Sequence, residues 1–291
     1  MTTRATTLNH YQQRLLRVID YMYDHVDQDL DVNTLADVAC MSCYHFHRIF
    51  REFMGETVNA TVRRMRLLKA ASYLVRSTLT QQQIARRVNY GSVEAFNRAF
   101  SRHYGMTPNQ FRQQQQGESL HSAAFYPAQP QEYNIMYQVE QTQHNALTLI
   151  GLAHQGDYMQ IGKTFEKLGM MAGSVGLINE QTRYFGIYYD DPQTVEQTKL
   201  RAMACITLAP GTEFDQDTFE AVTIPAGKLI SLTFKGDYSE LEQPYNWLFG
   251  QWLPQSGLEP VDFPPFEEYL NDTRDTAPQD LLTRINCLVQ A

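Results

Sequence analysis

Ser42-Cys-Tyr-His-Phe46-His-Arg48-Ile-Phe50 and Ser92-Val-Glu-Ala-Phe96-Asn-Arg98-Ala-Phe100 are one pattern written twice, 50 residues apart. Gly55 and Gly105, Thr57 and Thr107, and Asn59 and Asn109 keep the same register. A repeat at fixed offset marks a duplicated unit. In each copy a serine stands where a helix N-cap accepts backbone N–H groups, and apolar residues follow at spacings of three and four. Phe46, Ile49, Phe50 and Phe53 share one face of the first helix, and Phe96, Ala99 and Phe100 share one face of the second. The opposite faces carry Tyr44, His47, Arg48 and Arg51 in the first copy, and Glu94, Asn97, Arg98 and Arg102 in the second.

A supporting helix is expected before each. The first starts near Asp31, runs through Leu35, Ala36 and Val38, and ends in a turn at Cys40 and Met41. The second opens with a capping box of Thr80 and Gln83, buries Ile84, Ala85 and Val88, and turns at Asn89, a residue type that tolerates left-handed backbone. Each pair has helix-turn-helix geometry, whose second helix fits the major groove of DNA. Between the copies, Val58 to about Arg76 reads as one helix. Its length of about 28 Å, at 1.5 Å per residue, suits two reading helices held near one DNA turn apart.

Charge divides the chain in the same sense. The net charge is −8, but residues 1–116 carry 15 Lys and Arg against 9 Asp and Glu, whereas residues 117–291 carry 9 against 23. The basic half suits phosphate and the acidic half does not, so the halves address different partners. Singly, Arg63, Arg64, Arg86 and Arg87 are as consistent with a solvated helix face as with phosphate contact, and His45 reads as structural.

The helical pattern stops after Arg112, and Gln113 to Pro130 is rich in Gln, Ser and Pro, as an exposed linker would be. Beyond it, strand-like alternation mixes with two helical stretches, about Met159 to Ala172 and Leu241 to Leu253. Strand pairs are expected near Tyr184 to Tyr189 with Leu200 to Leu208, and Phe266 to Leu270 with Arg284 to Val289. This half is also duplicated. Leu149, Gly156-Asp-Tyr158, Phe165 and Leu168 recur 80 residues later as Leu229, Gly236-Asp-Tyr238, Tyr245 and Leu248, and Tyr188 and Asp191 recur 81 later as Tyr269 and Asp272. The fold class is therefore multidomain: an all-α double helix-turn-helix domain over residues 1–112, a linker over 113–130, and an α+β domain of two pseudo-twofold units over 131–291. Two such units leave a groove between them, where pockets favour forming.

Other classes of function are disfavoured. No apolar run approaches the roughly 18 residues of a membrane span, and the start lacks the apolar core of a signal peptide, so a cytoplasmic protein is expected. Four cysteines, at 40, 43, 205 and 287, are too dispersed for a disulfide framework. Cys40-x-x-Cys43-x-His45-x-His47 looks like a metal-ligand string, but zinc sites pair two ligand clusters across a folded loop, and no metal or other cofactor is expected. Neither a nucleophile elbow nor a catalytic triad is visible, so the expectation is a protein that is not an enzyme.

Over about Asn9 to Arg112 the chain resembles the AraC/XylS family of transcription regulators. The matching residues are Leu35-Ala36, Ser42-x-x-x-Phe46-x-Arg48-x-Phe50, Gly55, Arg66, Ala70, Ile84-Ala85, Phe96-x-Arg98-x-Phe100 and Gly105-x-x-Pro108-x-x-Phe111-Arg112. Cys40 and Asn89 stand near turn positions that are usually glycine in that family. The resemblance implies DNA contacts by Tyr44, His47 and Arg48 from the first helix and by Glu94, Asn97 and Arg98 from the second. It further implies double-stranded DNA and RNA polymerase as partners.

About Tyr133 to Gln290 resembles the GyrI-like effector-binding domain, through Gly156-Asp-Tyr158, Tyr188-Tyr-Asp-Asp191-Pro192, Ile224-Pro-Ala-Gly227, Gly236-Asp-Tyr238, Trp252-Leu-Pro-x-Ser-Gly257 and Phe266-Glu-Glu-Tyr269-Leu-Asn-Asp272. By that resemblance the pocket acid is Glu267, with Tyr269 on the same strand face and aromatic walls from Phe165, Tyr188 and Trp247. The implied function is a DNA-binding regulator modulated by a small molecule, with an amphipathic cation suited to the acid and rings. The alternatives are a small-molecule hydrolase or a protein-recruitment module.

Overall fold

The computed structural model describes residues 4–114, 136–209 and 211–290. Among the described residues, the N-terminal part holds α1 Arg4–Asp24, α2 Val32–Ala39, α3 Cys43–Met54, α4 Val58–Arg76, α5 Gln81–Arg87, α6 Val93–Tyr104 and α7 Pro108–Gln114. Gln113 and Gln114 thus close α7 instead of opening a linker, and the rest of the expected linker lies outside the described residues.

Side-chain caps fix the helix starts. Asp31 accepts from the Thr34 amide, Thr57 from Ala60 and Ser92 from Ala95, while Thr80 and Gln83 form the full capping box. Such caps satisfy amides that have no partner inside the helix. The two turns use left-handed backbone at Cys40 (φ 51°) and Asn89 (φ 55°). The geometry that glycine normally supplies is therefore kept by residues with side chains, at some cost in strain.

Around the second copy, Leu67, Ala70, Ala71 and Leu74 of α4 pack with Ile84, Ala85, Val88, Phe96, Phe100 and Phe111. Two arginines brace the helices through backbone carbonyl groups. Arg66 donates to Val26 and Gln28, and Arg112 donates to Leu74 and Leu79. Arg64 pairs with Glu56, while Arg63, Arg86 and Arg87 remain exposed.

The C-terminal part holds β1 Val139–His144, β2 Leu147–Gln155, α8 Ile161–Ser174, β3 Tyr184–Tyr188, β4 Arg201–Thr207, β5 Glu220–Ile224, β6 Gly227–Lys235, α9 Glu242–Trp247, α10 Leu253–Ser256, β7 Glu259–Pro260, β8 Phe266–Tyr269 and β9 Leu282–Gln290. A short π-helical segment over Leu248–Trp252 joins α9 to α10. All described strands belong to one antiparallel sheet in the order β1-β6-β9-β8-β3-β4-β2-β5, with β7 beside β9.

That order is symmetric about the β8–β3 pair. On one side lie β3, β4 and β2, on the other β8, β9 and β6, and each unit's first strand is flanked by a strand from the other half of the sequence. The helical face of the sheet carries two cores: one around Ile150, Leu168, Ala172, Tyr188 and Ala204, the other around Ile230, Tyr245, Trp247, Leu248 and Ile285. The opposite face is built from Leu149, Phe185, Ile187, Met203, Cys205, Phe266 and Leu288. The period of two along a strand accounts for this division.

Compactness does not follow the expected boundary at residues 113–130. Gln12–Cys40 groups with the described residues after Phe53 up to Gln114, whereas Met41–Phe53, which is nearly all of α3, groups with the sheet domain. Among the described residues no helix is long and apolar enough to cross a membrane.

Candidate functional site

At the centre of the sheet, β3 and β8 pair with Gly186 opposite Glu267 and Tyr184 opposite Tyr269. Strand parity puts Glu267 and Tyr269 on the helical face and Glu268 on the other, as expected. Glu267 is only 4% exposed. Tyr245 donates its hydroxyl to Glu267 Oε1 at 3.0 Å, and Tyr269 donates to Oε2 at 3.0 Å. Tyr188 and Tyr269 join their hydroxyls at 2.6 Å. With the Tyr269 proton committed to the carboxylate, Tyr188 is the donor of that bond.

Further rings complete a cage. Phe165 meets Tyr269 edge-on at 5.3 Å, Tyr158 meets Tyr188 at 4.8 Å, and Tyr238 meets Tyr269 at 5.5 Å. Gly186 is required here, because a Cβ on it would lie 2.7 Å from the Tyr269 hydroxyl and 2.8 Å from the Tyr188 ring.

Burial pushes the Glu267 carboxyl up to about 7, opposed by the hydrogen bonds from Tyr269 and Tyr245 and by the charge of Arg48. The Tyr188, Tyr245 and Tyr269 phenols rise well above their ordinary range through burial and the neighbouring carboxylate. They stay protonated and act as donors. Glu268, the neighbouring acid, is already neutralised by Arg183 at 2.7 Å and Arg284 at 3.0 Å.

Trp247, expected as a wall of the cage, requires correction. Its ring packs at 5.3 Å on Tyr137 in the core beneath α9. Tyr245 takes the place beside the acid, and the signal for it was present in the sequence, since Tyr245 is the repeat counterpart of Phe165.

The first reading helix also differs from expectation. Its face of Tyr44, His47, Arg48 and Arg51 was expected to meet DNA, and here Tyr44, Arg48 and Arg51 lie against the sheet domain. The Arg48 guanidinium carbon sits 4.4 Å from the Tyr245 ring centre and 5.6 Å from that of Phe249. Arg48 is 7% exposed, and its Nε is buried without a hydrogen-bond partner. Arg51 donates to Asn246 and lies 3.7 Å from Asp191. Tyr44 tilts towards Tyr189 at 6.5 Å.

Ser42, at the head of α3, donates to Asp262 at 2.8 Å. His45 is wholly buried, stacks on Phe249 at 5.3 Å and donates from Nε2 to the Phe263 carbonyl at 3.1 Å. Burial and Arg48 lower its pKa to about 4, and burial also lowers that of His47. Among the described residues no three His, Cys, Asp or Glu side chains converge as metal ligands.

The second helix keeps its expected face. Glu94, Arg98 and Arg102 are exposed, and Asn97 is half-buried, donating to Gln81 at 3.3 Å.

Residues 137–288 match the family of GyrI-like small molecule binding domains, and residues 35–114 match a helix-turn-helix domain family. Over 102 residues the chain is 30% identical to the regulatory protein SoxS of Salmonella typhimurium, covering 35% of this chain and 95% of that one. Over 100 residues it is 37% identical to the RCS-specific HTH-type transcriptional activator RclR of Escherichia coli, covering 34% of this chain and 35% of RclR. The chain spans 35 to 37% of the curated relatives of that size. The C-terminal domain of EcmrR aligns with a TM-score of 0.46 at 18% identity, over 54% of this chain and 99% of that one. The chain belongs to the AraC/XylS regulators and carries a GyrI-like domain at its C-terminal end.

Proposed function

We propose that the protein is a one-component transcription regulator of the cytoplasm. In this reading its two helix-turn-helix units bind double-stranded DNA, its GyrI-like domain binds a small amphipathic cation, and RNA polymerase is the partner it addresses at promoters. The observation that carries the effector class is Glu267, a buried carboxylate ringed by Tyr188, Tyr245 and Tyr269, with a guanidinium already stacked on Tyr245. Rings of this kind attract cations through their faces, and a buried acid gains most from a positive partner. The site reads as a binding site and not a hydrolytic one, because both carboxylate oxygens are engaged by phenol donors.

Two measurements test this reading. Selection of duplexes from a random pool by the full chain should enrich one sequence. Arg98→Ala should then weaken that duplex by about 5- to 150-fold, the worth of a good base contact, while affecting random duplex less. Equal losses on both would make Arg98 a phosphate contact only. In a thermal-shift panel, Glu267→Gln should weaken cationic ligands at least about tenfold and spare neutral ligands of equal size, since it keeps shape and removes charge. Glu268→Gln is the control, and parity between the two variants would rule out Glu267 as the recognition charge.

A further inference from the structure

We propose that Arg48 is an internal occupant of the cationic effector site, so that effector and DNA-reading helix compete for the same cage. This rests on the reading of the cage given above and adds how that site governs DNA. Arg48 has the chemistry expected of the effector: a delocalised cation carried on an apolar stem, buried over Tyr245 beside the acid that Tyr245 holds. The other residues on the face of α3 that carries Arg48 are withdrawn with it. Tyr44 lies by Tyr189, Arg51 lies on Asn246 and Asp191, and His47 is half-buried. A helix so covered cannot also enter a groove.

The contact is also incompletely satisfied. Arg48 Nε is buried with no hydrogen-bond partner, which costs free energy that a better-fitting cation does not incur. An exogenous cation that stacks on Tyr245 and faces Glu267 therefore displaces Arg48. With its anchor gone, α3 exposes Tyr44, His47, Arg48 and Arg51 to DNA. Binding of effector and of DNA to the open state must then be mutually favourable, by the same factor in each direction.

The interface offers two places to break the contact without touching cage or reading face. Gly250 faces α3 so closely that a Cβ on it would fall 2.5 Å from Glu52 Cβ, and Asp262 accepts the hydrogen bond from Ser42. Phenylguanidinium serves as the probe cation, phenylurea as its neutral match, and a random-sequence 30-base-pair duplex as the DNA probe, all with the full chain. If the covered state holds about four-fifths of the molecules, its removal raises apparent affinity about fivefold.

Gly250→Ala, Asp262→Ala and Arg48→Ala should each bind phenylguanidinium about fivefold tighter than the wild type, with phenylurea unaffected. Adding Glu267→Gln to Arg48→Ala should cancel that gain. Phenylguanidinium should strengthen duplex binding by the wild type and leave Gly250→Ala, already open, unchanged. Phenylguanidinium binding that is equal in the wild type and all three variants overturns the competition while leaving the cation cage standing. No binding by any variant overturns both the cage and the competition.

Discussion

Glu267→Gln should strongly change the pH dependence of stability in the sheet domain. The folded carboxyl is raised from its ordinary 4.5 to about 7 by burial. A group raised in this way contributes stability that is fully present below pH 4.5 and is lost as pH rises through 7. At 1.36 kcal/mol per unit, the loss comes to about 3 kcal/mol. Glutamine cannot titrate, so the stability of the variant relative to the wild type should climb by about 3 kcal/mol between pH 4.5 and 8 and then level off.

The wild-type profile alone hides this, because His45 works in the opposite sense. Its folded pKa is lowered from 6.5 to about 4, so its contribution is present above 6.5 and lost as pH falls through 4. Only the difference between variant and wild type isolates the carboxyl. Both tryptophans, Trp247 and Trp252, lie in the sheet domain, so urea titrations followed by tryptophan fluorescence read that part of the chain. A difference that stays flat from pH 4.5 to 8 would mean that Glu267 is ionised throughout.

Phe100→Ala is the second large effect, and it falls on the other half. Phe100 is fully buried and touches three rings, with centroids at 4.5 Å for Tyr104, 5.3 Å for Phe111 and 5.6 Å for Phe96. Truncating a buried phenylalanine costs about 3 to 5 kcal/mol, because lost transfer energy and the residual cavity add. The second helix-turn-helix should lose most of its stability. Far-UV circular dichroism should show the helical transition moved to lower denaturant while tryptophan fluorescence keeps its midpoint, and duplex affinity should fall with the lost helix. A shift below about 1 kcal/mol in the helical transition would contradict the packing described for α6 and α7.

The repeats made the architecture readable. A 50-residue offset located both reading helices, and the long connector was bounded correctly at Val58 and Arg76. The strand pairs, and the parity that sets Glu267 with Tyr269, followed from alternation alone. Trp247 was misplaced for a geometric reason. Two residues along a helix are about 200° apart, so choosing Trp247 over Tyr245 chose the opposite side of α9.

The covering of α3 lay beyond a sequence reading altogether. Periodicity states that Tyr44, His47, Arg48 and Arg51 share a face, but not what lies against that face. The groups that meet it, Tyr189, Asp191, Tyr245 and Asn246, lie in the other half of the sequence. The same local pattern serves a solvated helix, a helix in a DNA groove and a helix against a protein surface.

The duplication that built the sheet domain left its acid without a mirror image. The repeat counterpart of Glu267 is Gly186, and the two face each other across the central strand pair. Had the copy been faithful, two carboxylates would crowd one apolar space, and like charges so close end by sharing a proton. The pair would then hold hydrogen instead of a cation. A single acid on a nearly twofold frame gives the site a head and a tail. A guest with one charged end has one productive orientation there, and a second positive group at its far end meets rings without a counter-charge.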